Sequence, residues 1–84
     1  MPKVIQEPMG ALAYHWRQAR EKAGMTQAEL AAHLEVSLRM VEEIEQGRKS
    51  PSLPLLLRLC RRLRVSADWL LGLKLCQHLL DSRL

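Results

Sequence analysis

The sequence TQAELAAHLEVSLRMVEEIEQG, residues 26–47, predicts the fold of this chain. Thr26 is followed three residues later by Glu29, which is the pattern of a capping box. In that arrangement the hydroxyl accepts from a backbone N–H and the carboxylate accepts from another at a helix start. Apolar residues then recur at helical spacing up to Leu34. The pattern therefore predicts a helix over about residues 27–34.

A second short helix follows almost at once. Glu35-Val36 makes the predicted turn, and Ser37 is an N-cap candidate for a helix over about residues 38–46. Val41 and Ile44, three residues apart, form its inward face. The residues predicted to face outward are Arg39, Glu42, Glu43 and Gln46. A first helix that packs against the core, followed by a second helix with an exposed polar face, is the arrangement of a helix-turn-helix motif.

From Leu12 to Gly72 the chain resembles the Cro/CI-type (lambda-repressor-like, XRE) helix-turn-helix family. The matching pieces are Arg20 and Gly24, Thr26-Gln27, Leu30-Ala31, Val36-Ser37, Ile44-Glu45-x-Gly47, Pro51-Ser52 and Val65-Ser66-x-x-Trp69-Leu70. The resemblance implies an all-α fold, a five-helix DNA-binding domain over residues 11–72. It also implies a structural ion pair between Arg20 and Glu45, and a DNA phosphate contact from Gln27.

Three further helices complete the predicted domain. Residues 1–10 read as a flexible arm, and Ala11 to Lys22 as the first helix, with Gly24 ending it. Ser52 and Ser66 are predicted to cap the fourth and fifth helices, the fifth over residues 67–71. The inward face predicted for the first helix is Leu12, Trp16, Ala19 and Ala23, and that of the fourth is Leu55, Leu56, Leu59, Cys60 and Leu63. Trp69 is expected to plug the core from below, whereas the arginines of the fourth helix are expected to lie largely outside.

Residues 73–84 lie beyond the usual core of the family and predict an extra amphipathic C-terminal helix. Its apolar half is Leu73, Leu75, Cys76, Leu79 and Leu80. A small domain has little unfilled core to receive such a face, so we interpret it as a dimerisation element. Packing against its own domain is the alternative, and membrane-surface binding is disfavoured because the segment carries too little positive charge.

Composition narrows the function. A formal net charge of +4 suits a polyanionic partner without proving one. The two cysteines, Cys60 and Cys76, form no CxxC pair, so we expect no metal site and no cofactor. The N-terminus has no signal-peptide pattern and no apolar run is long enough to span a bilayer, so a cytoplasmic protein is expected.

The resemblance places the second helix of the motif in the major groove of DNA. Base-reading candidates are Ser37, Leu38, Arg39, Glu42 and Glu43, and phosphate-contact candidates are Gln27, Arg48 and Lys49. Arg39 suits guanine, Leu38 a thymine methyl group, and either glutamate a cytosine amine. The loop after this helix also offers backbone amides, which we expect to be free for phosphate.

Two features depart from the family. Residues 35–46 carry four Glu and one Arg, an acidic surface that repels phosphate unless each carboxylate finds a cytosine amine. Glu35 stands where relatives usually have Gly, which predicts a strained turn. We expect a homodimeric, sequence-specific DNA-binding regulator. The alternative is a protein-binding regulatory module with the same fold, whereas no nucleophile–base pair or phosphate-binding glycine loop points to an enzyme.

Overall fold

The computed structural model describes residues 8–73, whose secondary structure is entirely α-helical. The helices are α1 (Pro8–Lys22), α2 (Gln27–Leu34), α3 (Leu38–Glu45), α4 (Leu53–Leu63) and α5 (Ala67–Leu71). The predicted all-α, five-helix lambda-repressor-like architecture is confirmed. Residues 1–7 of the predicted arm and residues 74–84 of the predicted C-terminal helix lie outside the described residues.

The first helix begins three residues earlier than predicted, at Pro8 instead of Ala11. A proline suits the first position of a helix because its missing N–H would have no intrahelical partner there, and its fixed φ is already helical. Pro8 therefore starts the helix instead of belonging to the arm predicted over residues 1–10.

Each of the other four helices is preceded by an N-cap residue with a hydroxyl side chain. Each hydroxyl accepts a hydrogen bond from the backbone N–H three residues on, and the capping residues are Thr26, Ser37, Ser52 and Ser66. The predicted capping box is present: Thr26 Oγ1 accepts from the Glu29 amide at 3.0 Å, and the Thr26 amide donates to Glu29 Oε1 at 2.9 Å. Each such cap stabilises its helix by about 1 kcal/mol.

The turn between α2 and α3 has the conformation expected for a glycine. Glu35 adopts φ 62°, so the left-handed turn persists with a non-glycine residue. Two hydrogen bonds of the Schellman type close it: the Val36 amide donates to Ala31 O at 3.0 Å, and the Glu35 amide donates to Ala32 O at 3.2 Å. These bonds help offset the cost of the left-handed conformation.

Arginines from α4 satisfy the remaining carbonyls of α2. Arg58 Nη1 donates to Leu34 O at 2.6 Å, and Arg62 Nη1 donates to His33 O. With the two turn bonds, the last four carbonyls of α2 all have partners. Part of the basic face of α4, predicted to lie largely outside, thus docks α4 on α2 instead of facing solvent alone.

A single apolar core lies between the helices. Its completely buried side chains are Trp16, Leu30, Leu34, Val41, Ile44, Leu59 and Leu70, and Leu12, Ala31 and Leu55 are nearly so. Trp16 is the predicted core plug. The inward face predicted for α4 is observed, with Leu55 and Leu59 buried and Leu56, Cys60 and Leu63 half-buried against the core.

One predicted core position is wrong, and another is only partly buried. Ala23 is exposed, because α1 ends at Lys22 and the chain leaves the helical face before this residue. Trp69 packs against the core as predicted but is only half-buried; its ring also lies against that of His15, with ring centroids 4.6 Å apart, and the neighbouring Leu70 is fully buried. Between residues 8 and 73, no helix is long and apolar enough to cross a membrane.

Candidate nucleic-acid interface

The position of α3 is fixed from its inner face. Val41 and Ile44 are buried against α2 and α1, and the small Ala31 lets the two helices of the motif approach closely. The opposite face of α3 is turned toward solvent, with Leu38 42% exposed and the Arg39 side chain 82% exposed. A helix held rigidly from behind with a polar, open front face has the geometry needed to enter a groove.

The structure brings the predicted ion-pair residues Arg20 and Glu45 into contact. Arg20 Nε donates to Glu45 Oε2 at 2.7 Å and Nη2 donates to Oε1 at 3.1 Å, which is a bidentate pair. Both side chains are largely buried, and Arg20 Nη1 also donates to Met25 O at 2.9 Å. The hydrogen bond to Glu45 raises the pKa of Arg20 above its ordinary value, despite the opposing effect of burial. The pair ties α1 to the end of α3.

Gln27 lies at the first position of α2, as the family resemblance implies. Its Nε2 atom donates to Glu45 Oε1 at 3.0 Å, so the Glu45 carboxylate accepts from both Arg20 and Gln27. The side chain is therefore anchored inside the domain at the N-terminus of a helix, a position favourable to anions. The anchor orients the α2 N-terminus relative to α3.

Glu43 lies between two cations. Arg39 Nε donates to Glu43 Oε2 at 3.1 Å, and Lys49 Nζ lies 3.4 Å from Glu43 Oε1. The hydrogen bond from Arg39, together with Lys49, lowers the pKa of Glu43 below its ordinary value. One of the two outward carboxylates predicted on α3 is thus electrostatically compensated.

Glu42 has a different environment. It is half-buried, and within residues 8–73 it takes part in no ion pair. It lines a shallow depression of about 230 Å³ together with Arg39, Glu43, Gln46 and Arg48. Of the two outward carboxylates predicted to make the front of α3 acidic, Glu42 is therefore the one that no ion pair compensates within residues 8–73.

The loop after α3 uses its backbone differently from the prediction. Gly47 turns the chain with φ 76°, and the amides of Arg48 and Lys49 donate to Glu43 O at 2.9 and 3.3 Å. These amides are not free for phosphate, because the carbonyls at the end of α3 need donors and the loop supplies them. A phosphate contact from Arg48 or Lys49 therefore rests on their side chains, both of which are exposed.

The predicted site residues thus fall into two groups. Ser37, Leu38, Arg39, Glu42, Glu43, Arg48 and Lys49 share one surface formed by α3 and its following loop. Gln27 lies beside them through Glu45 at the end of α3. Of the predicted dimerisation residues only Leu73 is described, and it is 42% exposed at the end of α5; Leu75, Cys76, Leu79 and Leu80 lie outside the described residues.

Sequence reasoning missed two connections. It treated Glu43 only as a base-reading candidate, although an acid four residues after an arginine on one helix face signals an ion pair. It also missed the bonds from Arg58 and Arg62 to α2, for which no local signal exists.

Other chemistry is sparse among residues 8–73. No three of their His, Cys, Asp or Glu side chains are grouped to hold a metal ion. Cys60 is a free thiol, half-buried, and burial raises its pKa. The exposed front of α3 and the loop that follows it bring together Arg39, Glu42, Glu43, Arg48 and Lys49.

The fold and this surface define a helix-turn-helix domain, and sequence comparison agrees. The helix-turn-helix family (HTH_3) matches residues 17–70, which is well over half of the chain. The chain belongs to the Cro/CI-type (XRE-type) helix-turn-helix family of DNA-binding domains.

A solved structure is similar over most of its length. The clp gene regulator ClgR from Corynebacterium glutamicum shares 34% sequence identity with this chain and superposes with a TM-score of 0.68. The similarity covers 89% of this chain and 87% of that one. A search of curated proteins gave no match.

Proposed function

We propose that this protein is a sequence-specific, DNA-binding transcriptional regulator that acts as a homodimer in the cytoplasm. The observation that carries the proposal is the exposed Arg39 on a helix fixed from behind by Val41 and Ile44. Family membership and the similarity to a gene regulator support it. No catalytic step is required.

In this proposal α3 lies in the major groove. Ser37, Leu38, Arg39 and Glu42 face the base edges, where arginine pairs best with guanine and a carboxylate accepts from a cytosine amine. Arg48 and Lys49 contact phosphate through their side chains, and Gln27 does so at the N-terminus of α2. The base contacts supply specificity, and the cations supply affinity that falls as salt rises.

Dimerisation would place two copies of α3 on successive turns of the groove. The half-sites of such a dimer are separated by about 34 Å, one helical turn, so the operator should be near-palindromic. The leucine-rich residues 73–80 are the proposed contact, and the exposure of Leu73 at the end of α5 supports this. A small core also favours dimerisation because the second subunit adds buried apolar surface.

The protein-binding module is the competing proposal. The sequence suggested it through the acidic α3 and the apolar residues 73–84, but the cations around Glu43 compensate one of the two outward carboxylates of α3. A less acidic front favours DNA over a basic protein partner. A chain that binds no DNA specifically, yet pairs with another regulator through residues 73–84, would restore this alternative.

Selection of duplexes from a random library tests the proposal. The wild-type chain should enrich a two-fold-symmetric motif, and Arg39→Ala should lose or change the preferred base at one position in each half-site. Arg61→Ala is the matched control, because Arg61 is an exposed arginine on α4 with no hydrogen-bond or ion-pair partner within residues 8–73. Enrichment of no motif, with only general salt-sensitive binding, would contradict the proposal.

A further inference from the structure

Glu43 is bonded to both parts of the proposed DNA-binding surface. Its carboxylate accepts from Arg39 Nε at 3.1 Å and lies 3.4 Å from Lys49 Nζ. Its backbone carbonyl accepts from the amides of Arg48 and Lys49 at 2.9 and 3.3 Å. One residue thus contacts a proposed base reader and both proposed phosphate-contacting residues of the loop.

We infer that Glu43 is a positioning residue, which holds Arg39 in the orientation that reads a base and couples it to the Arg48-Lys49 loop, instead of reading a base itself. The inference rests on the proposed function and deepens it by assigning how the site is organised before DNA arrives. It replaces the base-reading role that the sequence suggested for Glu43.

The geometry of Arg39 supports this role. Glu43 takes the Nε hydrogen, whereas the two terminal nitrogens of the guanidinium make no hydrogen bond within residues 8–73. Those terminal nitrogens form the planar fork that meets the O6 and N7 atoms of guanine. A free arginine would lose its rotamer freedom when it binds a base, and a carboxylate that already holds Nε reduces that loss.

The exposures of the three side chains fit the same reading. The Glu43 side chain is 21% exposed, whereas those of Arg39 and Lys49 are 82% and 51% exposed. The cations therefore stand in front of the carboxylate. A base or a phosphate approaching α3 meets the cations before it meets Glu43.

Helix stability alone does not account for the arrangement. An arginine that precedes a glutamate by four residues is the less favourable order on a helix, because it opposes the helix dipole. An exposed pair of this kind contributes little to folding. We therefore expect Glu43→Gln to fold normally, especially since the Glu43 carbonyl still binds the loop amides in that variant.

The test compares discrimination between bases. Wild type, Glu43→Gln, Arg39→Ala and the double variant would be titrated with the selected duplex and with duplexes altered at the base that Arg39→Ala ceases to prefer. Glu43→Gln should reduce discrimination at that base by about threefold to tenfold, the range expected when one long side chain loses its preorganisation. In the Arg39→Ala background, the same substitution should reduce it no further.

Glu21→Gln is the matched control. It removes the same charge from an exposed arginine–glutamate pair of the same spacing on α1, where Arg17 Nε donates to Glu21 Oε2 at 3.1 Å outside the proposed DNA-binding surface. Discrimination at the Arg39-dependent base should stay at the wild-type value. Thermal unfolding of each variant, followed by circular dichroism, separates a loss of positioning from a loss of fold.

Three results would overturn the inference. Full discrimination in Glu43→Gln would show that Arg39 needs no positioning. A loss of preference at a different base, equal in both backgrounds, would show that Glu43 reads that base directly. Failure of the wild type to enrich any motif would remove the proposed function and this inference together, whereas the first two results leave the proposed function intact.

Discussion

Removal of the buried guanidinium at the junction of α1 and α3 should destabilise the domain strongly. In Arg20→Ala the Glu45 carboxylate keeps only the hydrogen bond from Gln27, and Met25 O loses its donor. Side-chain exposures of 12% for Arg20 and 5% for Glu45 mean that water replaces these partners poorly. Breaking a buried pair by removing one member costs about 3 to 5 kcal/mol, and the thinness of this domain favours the lower end, about 3 kcal/mol.

Thermal unfolding measures this cost directly. For a domain of this size about 1 kcal/mol corresponds to about 4 to 8 °C, so Arg20→Ala should lower Tm by roughly 12 to 24 °C. Arg17→Ala is the matched control on the same helix. Arg17 also pairs with a glutamate, Glu21, at 3.1 Å, but the two side chains are 62% and 51% exposed. Its loss should change stability by no more than about 0.5 kcal/mol.

A double variant separates charge burial from packing. Replacement of both charges in Arg20→Met/Glu45→Leu should recover at least half of the stability lost in Arg20→Ala, because no unpaired charge remains in the interior. Equal Tm values for Arg20→Ala and Arg17→Ala would refute the reasoning, since they would show that the pair is solvated in solution. A double variant less stable than Arg20→Ala would refute it as well.

Three further predictions follow from the described contacts. Glu35→Gly should stabilise the domain by about 0.5 kcal/mol in urea unfolding, because relief of the left-handed φ outweighs the added flexibility of the unfolded chain; Ala32→Gly, inside α2, should instead destabilise it, and a loss in both would contradict the strain argument. Arg58→Ala should lower the free energy of unfolding by about 1 to 2 kcal/mol because Leu34 O loses its donor, and an unchanged midpoint would contradict the capping role. By NMR, the Glu43 carboxyl should titrate below its ordinary pKa of 4.5, and Arg39→Ala should raise that pKa. A pKa that folding lowers stabilises the native state at pH values above the unfolded pKa, so this contribution should be lost as the pH falls below about 4.5 through the folded pKa. An identical titration of Glu43 in the wild type and in Arg39→Ala would contradict the pairing.

The features that depend on neighbours along the chain could be predicted from the sequence. A capping hydroxyl and the amide three residues on are brought together by the first helical turn, so Thr26 and Ser37 could be assigned without knowledge of the fold. The burial of Trp16 and Ile44 likewise follows from helical periodicity. The left-handed turn at Glu35 was predicted because the family pattern has glycine at that place.

The contacts that depend on how the chain folds back on itself could not be predicted from the sequence. Lys49 reaches Glu43 only because Gly47 turns the loop back over the end of α3. Arg58 reaches Leu34 O only because α4 packs across α2, twenty-four residues away along the chain. The amides of Arg48 and Lys49 were predicted to be free for phosphate. They instead bind the Glu43 carbonyl, which lies in the last turn of α3 and has no partner within the helix.

Binding measurements at one physiological salt concentration test whether α3 reads DNA bases. They give the ratio of the affinity for the selected duplex to the affinity for a scrambled duplex of the same length. We expect a ratio of about 10³ or more for the wild type, as for specific DNA-binding domains in general. Arg39→Ala should reduce that ratio, and Arg61→Ala should leave it unchanged. A ratio near one for the wild type, or equal losses in the two arginine variants, would contradict the claim.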